Sequence, residues 1–187
     1  YKTKIMKSIK TLSILALLTF VVFQSCKKDK ATSTPTEFTF NGVHYTTVKS
    51  TLNTHYFLFG STYYSALIDS AVNDSKTKAL VFVLGFNKSG RPAASADYYV
   101  YVPSGLPAST PDLLTPQAYG FDFSTGNYTI YQSTNSGTDQ TATVTDNGKL
   151  IIDFPETSFD GTEYDSGGNI VDAISSFLFS STTFKEQ

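Results

Sequence analysis

Two imidazoles, one thiol and no indole are all that a chain of 187 residues offers in those chemistries, which leaves carboxylates and phenols as its main reactive side chains. A single cysteine, Cys26, cannot close an intrachain disulfide or furnish a cysteine-based zinc site. His44 and His55 are the only imidazole bases for a nucleophile, and no Gly-x-Ser-x-Gly elbow accompanies them. His44 falls in the first expected hairpin and His55 opens the next expected strand, so a cross-strand pair holding a metal with an acid is conceivable. The commoner use of such residues is as surface or hydrogen-bonded histidines.

The acids concentrate late, at Asp153, Glu156, Asp160, Glu163, Asp165 and Asp172, with Gly161, Gly167, Gly168 and Asn169 between them. Oxygen-rich loops can wrap Ca²⁺, which takes about 6–8 oxygens. Asp160, Glu163 and Asp165 are the metal candidates, although Asp160-Gly161-Thr162-Glu163-Tyr164-Asp165 lacks the spacing of a helix-loop-helix calcium site. A solvated loop between two strands is the expected form. A hydrolase would require two of these carboxylates to converge across a scissile bond.

Tyrosines form the second handle, in Tyr63-Tyr64, Tyr98-Tyr99-Val100-Tyr101, Tyr119, Tyr128 and Tyr131. Strand alternation puts Tyr99 and Tyr101 on one face and Tyr98 with Val100 and Val102 on the other. Tyr98, Tyr99 and Tyr101 are therefore candidate ligand-binding residues, able to stack on a sugar ring or a protein partner. In a tryptophan-free β domain such rings more often fill the core.

Short extended segments must position these groups. Phe38 and Phe40 alternate with Thr39, and Asn41-Gly42 supplies the two positive-φ residues of a type I′ turn before Val43 to Val48. Asn147-Gly148 separates Thr141–Thr145 from Leu150–Phe154 as a second hairpin. Further strands are expected at Tyr56–Phe59, Ala66–Val72, Ala79–Phe86, Tyr98–Val102, Tyr119–Phe123, Tyr128–Tyr131 and Ile174–Phe184. Pro107, Pro111 and Pro116 limit the intervening stretch to a turn of helix near Asp112-Leu113-Leu114. Without helices for parallel crossovers, the expected class is all-β: a single antiparallel β-sandwich or up-and-down β-barrel of about 8–10 strands. Leu80–Phe86 is apolar on both faces, as a strand covered on both sides would be.

Lys2, Lys4, Lys7 and Lys10 precede the apolar run Thr11–Phe23, which is followed by Gln24, Ser25 and Cys26. An uncharged, largely apolar run of thirteen residues suits a secretory h-region, whereas a bilayer-spanning helix needs about 20. Residues 1–25 are therefore expected to be a helical signal peptide, with translation starting at Met6, the only methionine. Residues 26–36 lack apolar periodicity and read as a tether, and residues 37–187 as one domain.

Phe23-Gln24-Ser25-Cys26 resembles the lipobox of bacterial lipoproteins, with Phe23 where leucine is usual. The resemblance implies cleavage before Cys26 and lipidation of its sulfur, an anchor made stable by more than one acyl chain. Cys26-Lys27-Lys28-Asp29 is similar to the opening of small Bacteroidota-type outer-membrane lipoproteins, which implies an outer-membrane location facing the periplasm or the exterior. Asp69-Ser70-Ala71 resembles the O-glycosylation acceptor of that bacterial group, with Ser70 as the modified residue.

Loss of residues 1–25 removes four lysines and no acid, leaving ten basic against sixteen acidic groups, a net charge of −6. A nucleic-acid partner is disfavoured, because no basic cluster remains beyond the tether. The expectation is a lipid-anchored, non-enzymatic β domain without a cofactor, binding a glycan, small ligand or protein. The alternatives are a lipocalin-like barrel carrying an apolar ligand and a hydrolase built on the late acids.

Overall fold

A computed structural model describes residues 35–57, 63–88, 90–93, 96–100, 112–134 and 140–187. The leader, Cys26, most of the tether, Phe59 and Tyr101 lie outside the described residues. Among those described the chain is all-β, without helix, in one large, nearly closed barrel-shaped sheet of twelve strands.

β1 (Glu37–Phe40) and β2 (Val43–Phe57) form the first hairpin, and Asn41 and Gly42 take φ values of 47° and 72° as a type I′ turn requires. β3 (Tyr63–Asn73), β4 (Lys78–Phe86) and β5 (Ala96–Val100) follow. β6 (Leu113–Asp122), β7 (Tyr128–Ser133), β8 (Thr141–Asp146) and β9 (Leu150–Phe154) continue the chain. In the β8–β9 hairpin Asp146 pairs with Leu150, so the loop has three residues and only Gly148, at φ 88°, is left-handed. The last strands are β10 (Thr157–Tyr164), β11 (Ile170–Phe179) and β12 (Thr182–Lys185).

Four segments depart from expectation. Val43–Val48 and the start of Tyr56–Phe59, expected as separate strands, belong to the single strand β2, so His55 lies within a strand rather than opening one. The acidic stretch expected as a loop is β10, paired on both sides by β7 and β11. Ile174–Phe184 is divided between β11 and β12, with Ser180 and Ser181 between them. Leu113 and Leu114, expected in a turn of helix, open β6. Pro116 fits that strand because β6 changes partners around it: Leu113 and Leu114 pair with β5, and Gln117 to Phe121 with β7. A residue without an N–H is tolerated at such an interval.

This change of partner forks the sheet. One limb runs β6-β7-β10-β11 and the other β6-β5-β8-β9-β12, while β2, β3 and β4 form a wall common to both. The β5–β6 pair is parallel, so the order is not a simple up-and-down meander. Both limbs curl back on the first hairpin. Phe177 and Phe179 reach Phe40 at ring distances of 5.0 and 5.3 Å, and the Gln187 N–H donates to the Ser50 carbonyl at 2.9 Å. The fifteen-residue β2 serves both limbs by bending at register shifts between Thr47 and Lys49 and between Asn53 and Tyr56.

The barrel interior is filled with rings, among them Phe40, Phe82, Phe154, Phe159, Phe179 and Phe184, all essentially inaccessible to water. Burying each contributes roughly 1.5–3 kcal/mol. On the outer face of β3 and β4, Ala66, Ala79, Val81 and Val83 form a second buried cluster. Every residue of β4 after Lys78 is thus buried, as its unbroken apolar run implies. Arg91 ties the other end of the barrel together, reaching Glu186 at 2.9 Å and Asp146 at 3.0 Å.

Two glycines accommodate one ring. A Cβ on Gly161 would stand 2.7 Å from Tyr131 Cδ1, and one on Gly120 would stand 3.1 Å from Cε2. Gly161 is directly opposite Tyr131 in the β7–β10 ladder, so the ring lies over bare backbone. Gly161→Ala is expected to cost about 1–3 kcal/mol in denaturant unfolding through overpacking. In a Tyr131→Ala background the penalty should shrink; strictly additive penalties would refute the steric account.

Candidate ligand site at the mouth of the barrel

The β1–β2 turn, the start of β4 and the ends of β6, β7 and β10 meet around a cavity of about 180 Å³. At roughly 30 Å³ per molecule it has the volume of about six waters. Tyr45, Tyr131, Lys78, Asp122, Asn127 and Glu163 supply its polar lining, and Phe40, Val43 and Ile174 part of its apolar wall.

Cross-strand register sets the polar groups in pairs. Lys78 is opposite Asp122 in the β4–β6 ladder, with Nζ 3.5 Å from Oδ2. The Ser124 hydroxyl and backbone N–H donate to Asp122 Oδ1, and these bonds, with Lys78 nearby, hold the carboxyl below its usual range. Across the cavity Asn127 Nδ2 donates to Glu163 Oε1 at 2.7 Å. Positive φ at Gly126 turns the chain so that Asn127 enters β7 on this inward side.

Tyr45 is 5% exposed overall, and its hydroxyl, which makes no hydrogen bond among the described residues, is not a buried unsatisfied atom as Ser50 Oγ is, but opens into the cavity. Burial, reinforced by Tyr131 and Asp122, pushes its pKa up to about 12, so the phenol stays neutral at ordinary pH. Tyr131 stands edge-on to Phe40 at 5.0 Å, held there by its glycine bed. The mouth thus offers a neutral phenol between two donor–acceptor pairs. Compared with known proteins, the chain matches no family model, no curated protein and no solved structure.

The residues singled out from sequence distribute unevenly around this site. Glu163 reaches it, as a hydrogen-bond acceptor. Asp160 is exposed on β10, and Asp165 accepts from the backbone N–H groups of Gly167 and Asn169, building the β10–β11 turn. Among the described residues no group of three His, Cys, Asp or Glu side chains could hold a metal, so Asp160, Glu163 and Asp165 do not converge. His44 and His55 do not meet either, because both lie on β2, separated by eleven residues or about 35 Å of extended chain. His44 instead pairs with Asp74 at 3.0 Å, and His55 with Thr54 at 3.0 Å.

Tyr98 is wholly buried, edge-on to Phe86 at 5.0 Å, with its hydroxyl accepting from the Ala93 N–H. Tyr99 is half-buried on the opposite face, so Tyr98 shares no surface platform with it. Ser70 is 5% exposed in the middle of β3, between β2 and β4, which withholds its hydroxyl from a glycosylating enzyme in the folded state. Tyr45, Lys78, Asp122 and Asn127 carry no recognisable motif. Their common feature is inward parity at one end of four strands, which requires knowledge of the register.

One further polar group lies inside. Asp69 is 1% exposed, and the Thr47 hydroxyl donates to its two oxygens at 2.9 and 3.1 Å. Ser50 is opposite in the ladder, but its buried hydroxyl attains no hydrogen-bond geometry. Burial outweighs the Thr47 and Ser50 hydroxyls and raises the Asp69 pKa from 3.8 to about 7. The folded chain therefore holds a proton on Asp69 that the unfolded chain releases near pH 4. Stability from this group is full below pH 4 and declines as pH rises to about 7, by at most about 4 kcal/mol. Asp69→Asn should flatten that part of the unfolding profile measured between pH 4 and 8. An unchanged slope would refute the assignment.

Proposed function

We propose that this chain is a lipid-anchored cell-envelope protein whose barrel is a non-enzymatic binding domain. The lysine-rich start, the thirteen-residue apolar run and Ser25-Cys26 support the anchor. The lipid-bearing sulfur explains why an exported chain keeps one cysteine. Residues 27–36 then act as a spacer that holds the barrel off the outer membrane, towards the periplasm or the exterior.

The observation that carries the binding role is the cavity at the mouth of the barrel, above a core of buried rings among the described residues, where polar groups from separate strands converge. Carriers of drug-sized apolar molecules commonly use pockets of about 300 Å³ or more. This cavity is smaller and has charged and phenolic groups in its lining, which favours a small polar ligand, or the tip of a larger one, over an apolar cargo. The acidic mature chain argues against nucleic acid as that partner.

In cells expressing the full chain, outer-membrane fractions should contain the protein with acyl chains on Cys26, detected by mass spectrometry of the N-terminal peptide. Cys26→Ala should block acylation and abolish retention in that fraction. Retention of the unacylated variant would overturn the anchor.

A further inference from the structure

We propose that the mouth cavity binds one neutral hydroxylated ring, a single sugar unit free or at the end of a glycan, with the Tyr45 hydroxyl as its central contact. This assignment rests on the binding role given above and names the ligand class for the same site.

The geometry excludes the other simple chemistries in turn. An anion would face Asp122 and Glu163 with only Lys78 in its favour. A cation would find the two carboxylates already engaged, Asp122 by Ser124 and Lys78 and Glu163 by Asn127. A wholly apolar ligand would strand the Tyr45 hydroxyl, and an unsatisfied buried polar group costs about 1–3 kcal/mol. A hydroxyl group both donates and accepts, so it suits every position of the lining. One can accept from Tyr45 while donating to the free oxygen of Glu163, and another can bridge Lys78 and Asp122.

Size and shape agree with this assignment. About six waters occupy the equivalent volume, and a polyol replaces their hydrogen bonds with its own hydroxyls as it displaces them. The half-buried Val43 and Ile174 side chains, with the edge of Tyr131, give an apolar side for the C–H groups of a sugar. Two linked sugar rings would not fit within 180 Å³, so any longer glycan must leave through the mouth.

The test is a titration of the full chain in detergent, with tyrosine rings isotopically labelled for NMR and affinities measured by calorimetry. The probes are a panel of neutral hexoses and N-acetylhexosamines, with choline and inorganic phosphate as the charged comparisons. At least one sugar should shift the Tyr45 and Tyr131 signals saturably. Tyr45→Phe should weaken binding about 3- to 10-fold, and Glu163→Gln at least tenfold, as expected for loss of a neutral and a charged hydrogen bond. Tyr45→Phe removes a hydroxyl that faces the cavity and bonds to no described residue, so its melting temperature should stay close to that of the parent. If choline or phosphate shifts these signals and no sugar does, the sugar assignment falls and the binding role stands. If no probe of any class shifts them, both fall. Sugar binding unaffected by both substitutions would place the site elsewhere and overturn the proposal.

Discussion

Closure of the barrel depends most on one ring, Phe40, with Phe38 beside it against Phe179 at 5.9 Å. No ladder of backbone hydrogen bonds joins β11 to β1, so that seam is held by side chains. Phe40 stands against Phe177 and Phe179 of β11, and equally against Phe82, Phe159 and Tyr131 on the other strands. These contacts are mostly edge-to-face, the arrangement aromatic rings favour, and each adds roughly 0.5–1.5 kcal/mol beyond the area buried. Asn41 and Gly42 follow immediately, so the ring that closes the seam also sets the height of the turn that forms the lip of the cavity.

The fork at β6 explains why the interior can be full at one level and open at another. Below the fork, β5, β8, β9 and β12 bring Tyr98, Val144, Ile152 and Phe184 inward and fill the space. Above it, β7 and β10 contribute a bulky ring on one strand and bare backbone on its neighbour, Tyr131 over Gly161. The shorter inward side chains beyond that ring, Thr129 and Asn127, leave the volume that becomes the cavity. β11 is the outermost strand of this limb, and Ile170, Val171 and Leu178 remain exposed along it. Packing there is one-sided, in contrast to β4, which is buried on both faces.

Local grammar made part of this readable in advance. Asn41-Gly42 specifies its own turn, the run Leu80–Phe86 specifies burial on both faces, and alternation separates Tyr98 from Tyr99. β10 was not readable, because Thr157–Tyr164 has one large apolar residue at an inward position, Phe159, and its glycine and acids resemble a loop. Its strand form is imposed by pairing with β7 and β11, a tertiary effect that overrides weak β-propensity. The opening of β6 was hidden by Pro116 and the prolines preceding it in the sequence, and Pro116 is tolerated because the sheet forks there. The cavity residues are separated by up to 134 positions, from Phe40 to Ile174, and only the register of the intervening strands brings them together.

Tyr45 and Asp69 sharpen the distinction between a buried polar group that is accommodated and one that is held ready. They come from adjacent strands and both point into the barrel. Asp69 has Thr47 to hydrogen-bond and a proton to neutralise it, so the fold accommodates it internally and gains nothing from an added molecule. Tyr45 has neither: its hydroxyl is already neutral, and no side chain among the described residues bonds to it. Its partner must come from the cavity it lines, as solvent or as ligand. The lining around it is built on β6, β7 and β10; β7 carries Tyr131, and Gly120 of β6 and Gly161 of β10 fix that ring beside it. Two glycines sit in the interior of these strands because a Cβ there would meet the Tyr131 ring, at 2.7 Å from Gly161 and 3.1 Å from Gly120, so the ring beside the cavity keeps its place only over bare backbone.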